Sequence, residues 1–480
     1  MPNANFLDFL RLRALVCGVV VAVLIFSGTF TPHAVAAATS DARNGLNLSS
    51  LSEVSVDGLR RRHYDGEMVI EGTMALERER PAFPSIFLAS FQSEGLREYA
   101  RIDVPTTPMP NAGYPVVVFL HGWVGEQAAP QMDFTFSRSG YAALIRGFVD
   151  AGFLVVTPGF RGHGDWQGRA ADGLEFLHAW DNGTYVSPVF YAIDTLNLLE
   201  SLPTLEHQTH PQWTERVGKQ LRVDRSHVGV IGHSQGGDVA LMVLAVCGHG
   251  TPLRTPATAG SIWSGTFPGR LTQRSVYHAM ETTAEAFLAG DGTWTGTAIG
   301  HDGRVNPDFV FGYPPDWLGV ELPSAASVTT RGARLPTVKE AVEAKTREMY
   351  ATFNARVGDL HGVSYRMRQS AHGHTEVVDD PRVIAALTRV GGFETPELLT
   401  LPMALHHSDR DFYAFSSWNS DLCDRVNRLG GRCEDHEYPG NTHLLGVSAA
   451  AWFSPPGTQA GFMTALARDV ALFGGNARHD

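Results

Sequence analysis

The segment from His227 to Gly237, His-Val-Gly-Val-Ile-Gly-His-Ser-Gln-Gly-Gly, constrains this chain more than any other. It reads as a short buried strand, a G-x-S-x-G turn (Gly232-His233-Ser234-Gln235-Gly236) and the opening of a helix. A serine on a sharp strand-to-helix turn is forced into strained dihedrals, so its hydroxyl projects out of the fold. The positions two before and two after it must be small, because larger side chains would strike neighbouring backbone. Both are glycine here, and Gly237 follows. Val228, Val230 and Ile231 before the turn, and Val239, Ala240, Met242, Val243 and Leu244 after it, supply the apolar strand and helix. A bare G-x-S-x-G also arises as a glycine-rich turn that only reverses the chain. The flanking elements make Ser234 a candidate nucleophile on an elbow.

Such a nucleophile needs a base and an acid to orient the base, and these follow it in the order Ser, Asp/Glu, His. Downstream, an apolar strand (Met403 to Leu405) opens into the polar loop His406-His-Ser-Asp-Arg-Asp411, where an acid is expected at a strand's carboxyl end. A helix-like segment (Phe415 to Leu429), a Gly430-Gly431 stop and a strand-like Arg432 to Tyr438 come next. Pro439-Gly-Asn-Thr-His443 then presents one histidine, 32 residues after Asp411. His443 is the base candidate. His372, His374, His406 and His407 lack this strand-loop placement and are read as surface or packing residues.

The run Tyr114-Pro-Val-Val-Val-Phe-Leu-His-Gly-Trp123 is a continuous apolar strand ending in His121-Gly122. The loop after such a strand offers one backbone N–H to a developing oxyanion, and the residue after the nucleophile offers another. Trp123 and Gln235 are the donors expected, through their main chains, with Gly122 letting the backbone bend toward the substrate oxygen.

Together Phe119-Leu-His-Gly-Trp, Pro158-Gly-Phe-Arg-Gly-His-Gly-Asp165, Gly232-His-Ser-Gln-Gly-Gly, His407-Ser-Asp-Arg-Asp and Tyr438-Pro-Gly-Asn-Thr-His resemble the α/β-hydrolases. They are most similar to the prolyl-oligopeptidase-type catalytic domain and its dienelactone-hydrolase-like relatives. The likeness covers roughly Phe83 to the C-terminus, with the motifs in order. In that family the acid lies four residues after the loop histidine. That matches Asp411, with Asp409 as the alternative. Ser408 departs from the glycine usual there. The resemblance implies a mostly parallel sheet with helices on both faces and a helical cap, and acyl transfer by Ser234, Asp411 and His443 without metal or organic cofactor.

The net charge of −12 and the lack of a basic run argue against a nucleic-acid partner. At the N-terminus, Arg11 and Arg13 precede the apolar run Ala14 to Phe26, and small residues follow to Ala38. Residues 1–38 read as a secretory signal peptide, and the apolar run is shorter than the ~18 residues a membrane span needs. A secreted or periplasmic protein with no stable span after processing is expected, and a retained signal anchor is the alternative. Export permits disulfides. Cys423 in the helix after the acid loop and Cys433 in the next strand are candidates for a local bridge, leaving Cys247 as a small buried apolar residue.

Residues 39–82 are polar and weakly patterned, an N-terminal arm with Val69, Ile70 and Met74 in a strand at most. Residues 83–477 form the catalytic domain. Its expected elements are two antiparallel strands in Phe87 to Val104, a helix over Ser139 to Ala151 and a strand at Phe153 to Thr157. A helix then opens at Ser187-Pro188 with Val189, Ala192, Ile193, Leu196 and Leu199 on one face, followed by strands at Ala259 to Trp263 and beyond. From Ser264 to Thr400 the alternation breaks over a length far beyond a sheet crossover. The stretch 264–400 is read as a cap insertion, with helical patches at Ser275 to Ala289 and Thr337 to Val357. Its Phe309, Phe311, Tyr313 and Trp317 either line an acyl or aryl pocket or form the cap's own core.

These features describe a secreted serine hydrolase for a small-molecule ester or a short peptide. The ester is favoured, because prolyl-oligopeptidase-type enzymes carry a large N-terminal β-propeller that about 80 residues before Phe83 cannot build. A serine peptidase is the runner-up, and a catalytically dead hydrolase fold that only binds ligand is the remote alternative.

Overall fold

The computed structural model describes residues 48–74, 85–124, 128–134, 136, 141–176, 187–218, 221–265, 366–369, 375–378, 385, 388–408, 414, 416–439, 443–445 and 459–474. Its strands, in chain order, are β1 (Met68–Thr73), β2 (Ser85–Ser93), β3 (Leu96–Val104), β4 (Tyr114–Leu120), β5 (Leu154–Pro158), the short β6 (Asp165–Trp166) and β7 (Arg169–Ala170), and β8 (Val223–His233). They continue with β9 (Ala259–Trp263), β10 (Arg366–Gln369), β11 (Thr375–Val378), β12 (Met403–Ser408) and β13 (Cys433–Tyr438). The helices used below are α1 (Leu48–Glu53), α2 (Val56–Arg61), α3 (Tyr141–Asp150), α4 (Ser187–Ser201), α5 (Pro211–Arg216), α6 (Gln235–Cys247), α7 (Ser416–Arg428) and α8 (Gln459–Gly474).

Nine strands form one sheet in the order β1-β2-β3-β5-β4-β8-β9-β12-β13. From β5 to β13 neighbouring strands are parallel, whereas β3 runs antiparallel to β5 and begins an antiparallel flank with β2 and β1. The β2–β3 hairpin closes through Glu94 and Gly95, both at positive φ, the conformation a two-residue turn needs to match the strands' twist.

The apolar run of β4 shows why the sheet is covered on both faces. Alternate side chains of a strand point to opposite sides. Val116, Val118 and Leu120 enter the core shared with α4 and α6, while Val117 and Phe119 enter the one shared with α3 and α8. A continuous rather than alternating apolar run is what a strand buried on both faces requires. Helix α3, within the stretch Ser139 to Ala151 read as a helix, turns Leu144, Ile145, Phe148 and Val149 inward.

Two stretches differ from the sequence expectation. Residues 39–82, read as a weakly patterned arm, contribute α1, α2 and the outermost strand β1, with Leu51, Val56, Leu59, Met68 and Ile70 in the main core. Arg60 of α2 donates to the carbonyls of Ala245 (2.8 Å) and His249, satisfying acceptors exposed where α6 ends. Within 264–400, residues 388–400 belong to the body of the fold. Val390 is buried in the main core, the Val56 N–H donates to the Arg389 carbonyl at 2.7 Å, and the Arg389 guanidinium pairs with Asp57 and Glu397. Between 266 and 387 the described residues are the β10–β11 hairpin and residue 385. The helical patches, Phe309, Phe311, Tyr313, Trp317, His372 and His374 lie outside the described residues, as does the segment 1–38 read as a signal peptide.

Helix α4 is buried on its polar side as well as its apolar one. Asp194 takes the buried Arg161 guanidinium at 2.5 Å, Asn197 donates to Ser93 Oγ at 3.1 Å, and Glu200 accepts from Arg254. These pairings give the buried Asp194, Asn197 and Glu200 side chains of α4 their partners. Cys423 of α7 and Cys433 of β13 are joined by a disulfide, and Cys247 is buried in α6 as a free thiol. No helix among the described residues is long and apolar enough to cross a membrane.

Candidate active site

Ser234 occupies the junction between β8 and α6 with φ 55° and ψ −124°, a conformation that costs a non-glycine residue about 1–3 kcal/mol. Two backbone bonds hold it there: the Ser234 N–H donates to the Trp263 carbonyl (3.1 Å), and the Gly237 N–H donates to the Ser234 carbonyl (2.8 Å). The flanking glycines answer to space. A Cβ on Gly232 would run into the Gly236 carbonyl and come within 2.9 Å of the Ala240 methyl; one on Gly236 would press on the Leu120 and His121 carbonyls. The elbow therefore packs directly on the carboxyl end of β4.

That end of β4 carries the loop His121-Gly122-Trp123. His121 is buried, and its Nδ1–H donates to the Gly122 carbonyl at 2.8 Å. Burial, with a smaller contribution from the neighbouring His163, pushes its pKa down to about 3, so the ring is neutral at any physiological pH. His163 is likewise lowered, to about 4, by burial. The two rings lie 5.3 Å apart, with Phe160 packed against both. Gly122 faces the nucleophile. Trp123 is 47 % exposed.

The strands that precede the acid and base candidates in sequence end side by side. β12 and β13 are parallel and in register, so Ser408, the last residue of β12, pairs with Tyr438, the last of β13. The chain leaves Ser408 toward Asp409 and Asp411, and leaves Tyr438 toward His443. Both aspartates lie outside the described residues. His443 is brought to the elbow: its carbonyl accepts from His233 Nε2 at 2.7 Å, and the two imidazole rings stand 4.8 Å apart, edge to face. The structure thus gathers Ser234, Gln235, Gly122, Trp123 and His443 at the carboxyl edge of the parallel strands.

Residues 115–254, from β4 through the elbow and α6, match the family model described as the alpha/beta hydrolase fold. This chain has an α/β-hydrolase fold. No curated protein matches it significantly. Among solved structures it is similar to the butyrate-bound esterase Est2 from the Planctomycetes species Thermogutta terrifontis, at 11% identity, over 80% of this chain and 93% of that one, with a TM-score of 0.39. It is similar to acetyl xylan esterase 1 from Thermoanaerobacterium sp. JW/SL YS485, at 13% identity over 90% and 98% of the two chains, with a TM-score of 0.42. It is also similar to the acylaminoacyl peptidase of Pyrococcus horikoshii, at 13% identity and a TM-score of 0.40. There the match spans 85% of this chain and half of the peptidase.

Several residues that shape this α/β-hydrolase site had no signal in the sequence. His406, expected at the surface or in packing, is fully buried in β12 between the Tyr438 hydroxyl (Nδ1, 2.9 Å) and the Asp469 carboxylate of α8 (Nε2, 3.0 Å). Asp469 also accepts from Ser261 Oγ (2.8 Å) and Trp263 Nε1 (2.6 Å), so one buried carboxylate ties β9 and β12 to α8. His407 is also buried, with Nε2 on Asp435 at 2.8 Å. Tyr141, at the start of α3, and His233, the residue before the nucleophile, both bridge loops of the site. Among the described residues no three His, Cys, Asp or Glu side chains are grouped to hold a metal ion.

Proposed function

We propose that this protein is an exported serine hydrolase that cleaves carboxylic esters through an acyl-enzyme. The observation that carries the proposal is Ser234, kept at a strained φ of 55° against Gly122, with His443 bonded to the residue just before it. Strain of this kind persists only where the surroundings over-determine it, and it gathers at functional sites. In the reaction, Ser234 Oγ attacks the ester carbonyl carbon while His443 takes its proton. The oxyanion is held by the main-chain N–H groups of Trp123 and Gln235. The alcohol leaves with the proton from His443, and water activated by the same imidazole then attacks the acyl-enzyme carbonyl, releasing the acid and Ser234. Asp411 is proposed to accept the second imidazole N–H and so fix the productive tautomer.

Trp123, exposed and next in sequence to Gly122 of the oxyanion loop, is proposed to favour apolar or aryl groups on the substrate. The insertion, with Phe309, Phe311, Tyr313 and Trp317, is proposed to cover the same edge and share in that choice. Measuring kcat/KM on an aryl ester against the matching aminoacyl anilide, corrected for the ester's greater intrinsic reactivity, tests the substrate class. A corrected preference for the ester is expected; a corrected preference for the anilide would make the protein a peptidase. Asp411→Asn is expected to cost far more turnover than Asp409→Asn, and the reverse order would reassign the acid.

A further inference from the structure

Three loops must hold still relative to one another for the proposed chemistry, and two side chains outside the proposed triad connect all three. The Gly122 N–H of the oxyanion loop donates to Tyr141 Oη at 2.9 Å. Tyr141 Oη lies 2.6 Å from His233 Nδ1 on the elbow. His233 Nε2 lies 2.7 Å from the carbonyl oxygen of His443. The proton positions follow from the partners. A carbonyl can only accept, so Nε2 carries the hydrogen; the neutral ring then offers a lone pair at Nδ1, and the tyrosine hydroxyl donates to it. The chain of donors is therefore Gly122 N–H to Tyr141 O–H to His233 Nδ1, then His233 Nε2–H to the His443 carbonyl. Each bond in such a series polarises the next.

The surroundings leave the brace little freedom. The Tyr141 ring stands edge-on to Phe119 of β4 (5.0 Å) and Phe136 (5.7 Å), and the His233 side chain is buried. Burial pushes the Tyr141 pKa upward, which keeps its hydroxyl a donor. A methyl group on Gly122 would sit 2.8 Å from Tyr141 Oη, 3.1 Å from His233 Nδ1 and 3.0 Å from Ser234 Cβ, so brace and nucleophile meet at one point.

We infer that Tyr141 and His233 are positioning residues that lock the Gly122–Trp123 oxyanion loop and the His443 loop to the nucleophile elbow as a single unit. The inference rests on Ser234 and His443 acting as proposed above. Neither residue touches the reacting atoms. Tyr141 occupies the hydrogen-bonding position of Gly122 N–H, which leaves the next amide, Trp123, as the one assigned to the oxyanion, and His233 fixes the main chain of the residue whose side chain moves the proton. Geometry errors of about 1 Å at such loops cost on the order of a hundredfold in rate. The brace is thus expected to act on turnover rather than on substrate binding.

Steady-state hydrolysis of a 4-nitrophenyl ester by the full chain tests this with Tyr141→Phe, His233→Leu, His233→Gln, the Tyr141→Phe/His233→Leu double variant and a Ser234→Ala control, each with its melting temperature. Tyr141→Phe and His233→Leu are expected to lower kcat about 10- to 100-fold with KM within about threefold. The double variant is expected to fall no further than the worse single one, because both substitutions break one unit. Gln at 233 can accept from Tyr141 through Oε1 and donate to the His443 carbonyl through Nε2, so His233→Gln is expected to recover most of the kcat lost in His233→Leu. If Tyr141→Phe melts early, the Gln-against-Leu comparison at 233 carries the test. Full kcat in Tyr141→Phe, multiplicative losses in the double variant, or no recovery by Gln would overturn the brace. Unchanged turnover in Ser234→Ala would instead overturn the serine mechanism itself, so the two failures are told apart.

Discussion

Gly122 and Ser234 approach so closely that a Cβ on the glycine would lie 3.0 Å from the Cβ of the serine. Real Cβ contacts are seldom this short, so even alanine at 122 must push the oxyanion loop, the Tyr141 hydroxyl or the elbow aside. Gly122→Ala is expected to lower kcat on a 4-nitrophenyl ester by about a hundredfold. The melting temperature, measured alongside, separates a displaced loop from a partly unfolded protein. Parent-like kcat in Gly122→Ala would mean that the loop has slack there and that Trp123 does not need its present path.

The strain at Ser234 predicts a trade between stability and turnover. Alanine at 234 keeps a Cβ in the same positive-φ conformation, whereas glycine adopts it freely. Glycine also loses more chain entropy on folding, which offsets part of the relief. Ser234→Gly is expected to exceed Ser234→Ala in unfolding free energy by about 1 kcal/mol, with both devoid of turnover. Equal denaturant midpoints for the two variants would mean that the strain relieved at Ser234 is no larger than the entropy that glycine loses on folding.

Much of this site could be read before any fold was known, because its logic is local. Gly232 and Gly236 are fixed by contacts within the elbow and with β4, and the run Val116 to Leu120 is apolar because it feeds two cores at once. What escaped depends on partners far along the chain. α4 reads as a one-faced helix, yet Asp194, Asn197 and Glu200 are buried because Arg161, Ser93 and Arg254 meet them. β1 is a six-residue strand whose place is set by pairing with β2. His406 looked like one of two polar loop residues, and only Asp469, 63 positions later, explains its burial. Tyr141 belongs to no spaced motif and His233 fills a variable position of G-x-S-x-G; 92 residues separate them, and the hydrogen bond between them exists only in three dimensions.

A buried acid gives the protein a stability profile of known sign. Glu98 of β3 is fully buried, and burial, then the neighbouring Asp194 carboxylate, hold its pKa well above the usual carboxylate value despite Arg161 nearby. Because the folded-state pKa is raised, Glu98 contributes its full stability below its unfolded pKa of about 4.3 and loses it as pH climbs toward the folded value. Glutamine does not titrate. Glu98→Gln is therefore expected to gain on the parent as pH rises from 5 to 8, by up to about 1.4 kcal/mol per pH unit. Taking the difference between the two proteins removes the opposite contributions of Glu94 and Asp435, whose pKa values are lowered. A difference that stays flat over that range would mean that Glu98 is ionised in the folded protein.

The Cys423–Cys433 bridge closes a sequence separation of 10 residues between α7 and β13. In the chain-entropy model a loop of that size stabilises by about 3 kcal/mol. Replacing both cysteines by serine is expected to lower the unfolding free energy by about that amount, with kcat unchanged at temperatures where the variant stays folded. A variant that remains fully folded yet loses turnover would show that the bridge also shapes the loop carrying His443.

The central claim is that Ser234 is the nucleophile of an acyl-transfer enzyme, and covalent capture by a fluorophosphonate tests it most directly. Such a probe phosphonylates a serine only where a base activates it and an oxyanion site receives the developing charge. Intact mass and peptide mapping of the treated protein are predicted to show one adduct, on Ser234, that is absent in Ser234→Ala and strongly slowed in His443→Ala. An unmodified folded protein, or an adduct on any other residue, would contradict the account.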